Sequence, residues 1–498
     1  MVIETGSDLR CLECRDHFAF SYYNQIDIRR ANISKQFGLS FTNYPDDYFI
    51  ADYELHCPNC QKVFDEKIDS LTKRITELLA SNSGLNASLH NLYIIWSSEG
   101  NGVKADKYKF IFTYIEQLHS DASEIASETQ IMMLQFRENT VINDSNNMPY
   151  KFFFEDVVFK TISCLKKVHI VYSFLYNVDF RTRVNENTVD YLWKKLKKVD
   201  DFKYTEFYLG NHRLIERGVY RNIDERRKRF DHGRTYGSHN TFSEVLDLAL
   251  NVIEYCELIY KLIPELEQLS IRKSNDISIV PEYQLMSFNV STLTESDMPD
   301  FSIVQNIYQK INLLVNRIYK EITIEMNLKV FDDYDISCRF SEISHSLWVA
   351  ETLINMYHAT KQNVGVKRYS DVDYHSLTNS AIKRLSSVQD KIARLICLRW
   401  SIAVNDRNNL YFSHLVDIFS QYSPQDESQR MIMGKITKLV NSEDFRIMRN
   451  YRDRLFHIRD DLKSYSQKER FYINLSLIKQ CISVLSDLID IFYDIKLV

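Results

Sequence analysis

The octet Arg227-Lys228-Arg229-Phe230-Asp231-His232-Gly233-Arg234 returns near the end of the chain as Arg452-Asp453-Arg454-Leu455-Phe456-His457-Ile458-Arg459. Both copies spell Arg-x-Arg-x-x-His-x-Arg, and every shared position lies 225 residues from its counterpart. Cys256, in Leu-Asn-Val-Ile-Glu-Tyr-Cys, and Cys481, in Leu-Ile-Lys-Gln-Cys, keep that spacing. Upstream, Lys167-Val168-His169-Ile170-Val171 faces Lys391-Ile392-Ala393-Arg394-Leu395-Ile396 at a spacing of 224. A spacing held over so many positions marks an internal duplication, and it restricts the chain to folds that can be built twice. A single Arg-x4-His carries little weight where Arg and His are common. Arg234-x4-His239, which spans Gly237 in a turn-like run, is read as such a chance match.

What is duplicated reads as helix. Glycine and proline are scarce, 11 and 7 among 498 residues, and long helices follow more readily from this than an all-β plan. Apolar residues recur at three- and four-residue spacing over Phe64–Leu79, Leu89–Trp96, Tyr108–Leu118, Ile125–Phe136, Phe152–Tyr176 and Thr188–Lys198. The last of these ends in Lys194-Lys195-Leu196-Lys197-Lys198. Between Arg213 and Arg234, eight of 22 residues are Lys or Arg, and Gly233 and Gly237 are placed to end the motif helix. Thr241–Ile263 closes the first copy, with Pro264 as its stop. Asn139–Tyr150 reads as a loop. The second copy repeats the plan over Phe301–Met326, His345–His358, Leu377–Ile402 and Leu410–Gln421, then a motif helix over Ser442–Arg459 and a closing helix over Phe471–Ile495. Three of the seven prolines, Pro264, Pro281 and Pro299, fall in the segment between the copies. The expected organisation is a module over 1–65, a first bundle over 66–264, a linker over 265–300 and a second bundle over 301–498.

The first module carries Cys11-Leu12-Glu13-Cys14 and Cys57-Pro58-Asn59-Cys60. Two Cys-x2-Cys pairs supply the four thiolates of a tetrahedral structural zinc site, with no open position for water. Pro58 and Asn59 suit a tight turn in the second knuckle, and Tyr48–Leu55 suits a strand leading into it. A redox pair would need a βαβ context around one Cys-x2-Cys, and none is visible. His17 and His56 are spare ligands. The remaining cysteines, Cys164, Cys256, Cys338, Cys397 and Cys481, sit in apolar helical settings and read as core, as do Trp348 and Trp400. Nine cysteines without an export signal or an apolar run of membrane length point to a reducing cytoplasm. The net charge of −5 excludes a polycation, so any nucleic-acid contact must come from local basic patches.

On a helix, residues seven apart share a face and residues five apart stand about 140° from each other. Arg449, Arg452 and Arg459 therefore form one basic stripe, with His457 to its side and within reach of Arg452. Arg227, Arg234 and His232 repeat the relation. A guanidinium beside an imidazole disfavours a metal cation and favours a phosphodiester, because Arg offers a planar fork and His titrates near neutrality. The residues alone leave other readings open: basic helices that hold phosphate without cutting, solvated basic faces, or a helical scaffold.

The two motifs resemble those of the HEPN superfamily, small helical bundles that carry Arg-polar-x3-His at the start of a late helix. Arg452-Asp453-x3-His457 matches this pattern fully, with Asp453 in the polar slot. Arg227-Lys228-x3-His232 keeps Arg and His but has Lys228 where Asn, Asp or His is usual. The resemblance spans the motif helices and the helical pattern around them and leaves out residues 1–65. It implies a mainly α protein of two duplicated bundles and a metal-independent endoribonuclease activity on RNA. Two Arg-x4-His motifs would meet in one cleft, within a chain or across a homodimer, with Arg227, His232, Arg452, Asp453 and His457 as site residues. It further implies a toxin or antiviral defence role, with a regulatory or antitoxin partner.

Overall fold

The structure is a computed structural model that describes residues 13–15, 58–99, 102–139, 150–179, 188–232, 242–273, 275–278 and 410–457, with scattered positions in 379–403 and 473–482. The side chains of several helix-end residues, 228–232 and 452–457 among them, lie outside that description. The described residues are helical, with no strand and no helix long and apolar enough to cross a membrane.

Helix α1 (Pro58–Ala80) begins at a proline, which suits a first helical position because its missing N–H would have no partner there. It buries Phe64, Ile68, Leu71 and Ile75 at four- and three-residue steps. Helices α2 (Asn82–Ser98), α3 (Val103–Asn139) and α4 (Tyr150–Leu175) follow. The two segments expected between Tyr108 and Phe136 are one helix, α3. Its Ser123 hydroxyl bonds back to the His119 carbonyl, 3.0 Å, and meets the Tyr260 hydroxyl, 2.7 Å. Beyond α4 come α5 (Thr188–Leu196), a 3-10 turn (Asp200–Tyr204), α6 (Glu206–Glu216), α7 (Val219–His232) and α8 (Phe242–Lys273).

Helix α4 is the hub. Its packing partners are α3, α5, α7, α8 and, from the C-terminal part of the chain, α11. Val157, Val158, Cys164, Val168, Val171, Tyr172 and Phe174 are all buried, as are the polar Thr161, Lys167 and Ser173, so α4 is enclosed on all sides. Each large apolar side chain so buried contributes about 1.5–3 kcal/mol. Two lysines of α4 are matched by carboxylates, mostly across the α3 interface. Lys167 meets Asp121 at 2.6 Å, and Lys160 sits among Glu128, Asp156 and Glu124 at 2.5, 3.1 and 3.6 Å.

In the C-terminal part, α9 (His414–Gln421), α10 (Glu427–Val440) and α11 (Glu443–His457) are described. Phe445, Met448 and Tyr451 fix α11 to its own half. The Tyr451 hydroxyl donates to Asn379 Oδ1 at 3.0 Å, and Gln389 Nε2 donates to Met448 Sδ at 3.2 Å. The two motif helices share a burial pattern at the 225 spacing. Ile223 and Met448 are buried, and Arg221 and Arg446, like Glu225 and Asn450, are exposed. At 224, Val168, His169 and Tyr172 are buried, as are Ile392, Ala393 and Ile396.

Two local expectations are corrected. Pro264 does not stop its helix: α8 runs through it to Lys273. An interior proline costs about 3 kcal/mol, but Leu262, Ile263, Leu266 and Leu269 continue one buried stripe across it. Glu265 anchors the next turn by accepting from the Tyr172 hydroxyl, 2.8 Å, and the Glu206 N–H, 2.9 Å. The helix thus carries the chain from 265 to Lys273 along the same buried stripe, and Ile277 beyond it is buried too. The second Cys-x2-Cys is not a free-standing turn, since Pro58, Asn59 and Cys60 form the first turn of α1. Helix α1 runs on through residue 65. Cys164, Cys256, Cys397 and Trp400 are buried as expected. Outside the described residues fall the strand at 48–55, the loop at 140–149, Gly233, Gly237, the helices over 301–326 and 345–358, Cys338, Cys481 and Trp348.

Candidate nucleic-acid site at the two motif helices

The first motif helix is aimed by its entry turn. Gly218 closes α6 with φ 74°, a left-handed conformation that favours glycine, and its N–H donates to the Ile215 carbonyl at 2.9 Å. The chain then reverses into α7, where Val219 and Ile223 are buried. Arg226 lays its guanidinium over the Phe154 ring of α4, 5.5 Å to the centroid.

Arg227, the first residue of the motif core, is only 6% exposed. Its Nε donates to Asp224 Oδ1, one helical turn earlier, at 3.0 Å. The neighbouring Tyr220 hydroxyl has its pKa pushed well up, first by burial and then by Asp224 and Asp190, so it stays a neutral phenol. His232 is the last described residue of α7. Sequence reasoning missed Asp224, although a carboxylate three residues before an arginine is a legible helical pair.

The second motif lies on α11. Arg452 and Asp453 occupy its last turns and His457 is its last described residue, matching the place of His232 on α7. Arg449, one turn before Arg452, is half-buried. The arrangement that matters is shared: α7 and α11 both pack against α4. One enclosed helix thus packs against both of the helices that contain the Arg-x4-His segments, although these are 225 residues apart in sequence.

Of the four candidate metal ligands, Cys14 and Cys60 are described and Cys11 and Cys57 are not. Cys14 sits exposed in a turn and is followed by Arg15 at φ 66°, a sharp reversal for a non-glycine residue. Cys60 is partly buried in the first turn of α1. A thiol in a reversed turn and a thiol at a helix start suit the two knuckles of a thiolate site. The turn at 13–15 is also docked. The Glu13 carboxylate accepts from the Ser243 N–H at 3.3 Å and from the Ser243 hydroxyl. Ser243 is in the first turn of α8, where N–H groups lack intrahelical partners and the helix dipole favours an anion. Glu13, next to Cys14, is thereby held at the start of the helix that follows the first motif.

Compared with protein-family models, curated proteins and solved structures, the chain matches none of them.

Proposed function

We propose that the chain is a metal-independent endoribonuclease in which two Arg-x4-His helices serve one cleft built over α4. The observation that supports this reading is the common seat of α7 and α11 on α4. Cleavage of RNA through its own 2′-hydroxyl needs a base, an acid and a cation near the phosphorus. One histidine of the pair takes the 2′-hydroxyl proton as O2′ bonds to phosphorus. The P–O5′ bond breaks, and the other histidine protonates the departing O5′. The products are a 2′,3′-cyclic phosphate and a 5′-hydroxyl, with no net change in protons. One motif supplies one histidine, so His232 and His457 must act together, with the guanidinium of Arg452 on the phosphate oxygens. Asp453 fills the polar slot of the fuller motif.

A second reading draws on a specific observation in the first copy. Arg227 is buried and held by Asp224, the setting of a residue that shapes its helix rather than one reaching into solvent for substrate. On that reading the first copy holds RNA and only the second takes part in chemistry. Cys11, Cys14, Cys57 and Cys60 are proposed as ligands of one structural zinc that organises the N-terminal segment and takes no part in the reaction. A cytoplasmic role as a toxin or defence effector, restrained by a partner protein, belongs to the same proposal.

The test is cleavage of matched RNA and DNA strands in excess chelator. RNA should be cut to cyclic-phosphate and 5′-hydroxyl ends, and DNA, which lacks the 2′-hydroxyl, should stay intact. Cutting of DNA, or RNA cutting abolished by chelator after the fold is shown to persist, would refute the mechanism.

A further inference from the structure

A second charged surface lies outside the motif helices, on α5 and the 3-10 turn after it. Lys194, Lys195, Lys197 and Lys198 are all exposed, and none pairs with a carboxylate among the described residues. Lys195 instead stands over the Tyr191 ring, 5.6 Å to the centroid. Of the nearby acids, Asp200 pairs with Lys203 at 2.9 Å and Asp201 with Lys273 at 3.7 Å, and Asp190, one turn before Lys194 on α5, offsets one charge at most. The four lysines therefore keep a net positive charge on a chain whose overall balance is negative.

Beside them stands Tyr204, 86% exposed, the most exposed large apolar side chain among the described residues. It is not on a loose loop. It ends the 3-10 turn whose Phe202 is fully buried against Tyr172, Trp193, Phe207 and Tyr208, with ring centroids 5.8 to 6.0 Å away. Thr205, next in the chain, caps α6 by accepting from the Tyr208 N–H at 3.0 Å. The backbone under Tyr204 is thus fixed on both sides. Tyr204 follows Lys198 by six residues, and only the last four of those steps lie in the 3-10 turn, so the two Cα atoms are within about 16 Å of each other. A rigidly mounted open ring next to unpaired cations is the pairing by which proteins hold unstacked nucleotides: the ring takes a base and the lysines take the phosphates.

We infer that this surface is a docking track for single-stranded RNA, feeding the motif helices from outside. The 3-10 turn and α7 both pack on α6, which places the track and the first motif on neighbouring elements. The identity of the polymer rests on the ribonuclease reading. The physical claim, phosphates on the four lysines and a base on Tyr204, stands or falls by binding alone. A duplex fits less well, because its bases are not free to stack on a side chain.

The test uses the full-length chain and a 2′-O-methyl oligouridylate, which lacks the free hydroxyl the proposed cleavage needs, in a salt titration of affinity. Replacing all four lysines by Gln should lower the magnitude of the log K against log salt slope by about 3, since each single-strand phosphate contact contributes about 0.7. Tyr204→Ala should weaken binding about tenfold with an unchanged slope, and Tyr204→Phe should restore it. These results would uphold the track even if the protein cuts no RNA, so the two proposals can fail separately. An unchanged slope in the lysine variant, with its thermal unfolding also unchanged, overturns the inference. So does lysine-dependent binding to phosphatidylserine vesicles combined with unaltered RNA binding, which would reassign the surface to a membrane.

Discussion

His169, at the heart of α4, allows a quantitative test of the fold. Its ring is fully buried, edge-on to Phe207 at 4.9 Å and Trp193 at 6.1 Å. Nδ1 bonds the Leu165 carbonyl at 2.7 Å, and Nε2 has no hydrogen-bond partner among the described residues. Nδ1 is therefore the protonated nitrogen, donating to Leu165, and Nε2 is a buried lone pair. Burial lowers the pKa from 6.5 to about 4, opposed only in part by the Leu165 carbonyl. A histidine with a depressed folded pKa stays neutral in the fold while the unfolded chain takes up a proton. Its effect on stability is nil above pH 6.5 and grows as the pH falls from 6.5 towards 4. At about 1.4 kcal/mol per pH unit the full loss is roughly 3 kcal/mol, of which about 2 has occurred at pH 5. The assay is urea unfolding of the native chain and of His169→Gln at pH 7 and pH 5. The substitution has its own cost, but that cost cancels when each protein is compared with itself across pH. The native chain should lose about 2 kcal/mol more than the variant between the two conditions. Equal losses would show that His169 is not held neutral, and the enclosed α4 on which the site depends would be wrong.

Other expectations follow from the same contacts. Lys160→Met should destabilise the chain by about 3–5 kcal/mol, because it removes a buried cation from among Glu124, Glu128 and Asp156; adding Glu128→Gln should recover part of this, and a loss below about 1 kcal/mol in chemical denaturation would contradict the burial. Burial raises the Glu128 carboxyl above the usual carboxylate range, and Lys160 opposes that rise. Asp224→Asn should lower kcat for RNA cleavage with little change in KM if Arg227 is oriented for chemistry, whereas the RNA-holding reading of the first copy predicts a change in KM alone. Elemental analysis of native protein should find about one zinc per chain, lost in Cys60→Ser; protein without zinc, prepared without chelator, would remove the metal site.

Much of the helical plan was legible because buried stripes write themselves into the sequence at three- and four-residue steps. Phe64, Ile68, Leu71 and Ile75 are one such stripe, and the motif helix expected over Ser442–Arg459 is observed as Glu443–His457. Misreadings arose where local rules compete with packing. Proline is a breaker by propensity, but Pro264 is overruled by the apolar residues on either side of it. Proline is also a turn former, but at Pro58 it opens a helix instead. Helix α10 was missed although its start is signed: after Pro424, the Asp426 side chain accepts from the Gln429 N–H at 2.7 Å and Gln429 Oε1 accepts from the Gln425 N–H at 2.8 Å. The site was legible as residue types and spacing. That α7 and α11 share α4 was not, because a contact between segments so far apart leaves no trace in local pattern.

The central claim, one cleft made by both motifs of one chain, is tested most directly by mixing two inactive proteins. His232→Ala and His457→Ala should each lose cleavage by about 10²–10⁴-fold, the usual contribution of one acid–base group. If the motifs meet within a chain over α4, unfolding and refolding the two variants together should restore nothing, since every cleft still lacks a histidine. If the cleft instead forms between chains, half of the clefts in each mixed dimer regain both histidines, and the recovery of RNA cutting in the mixture would contradict the shared seat on α4.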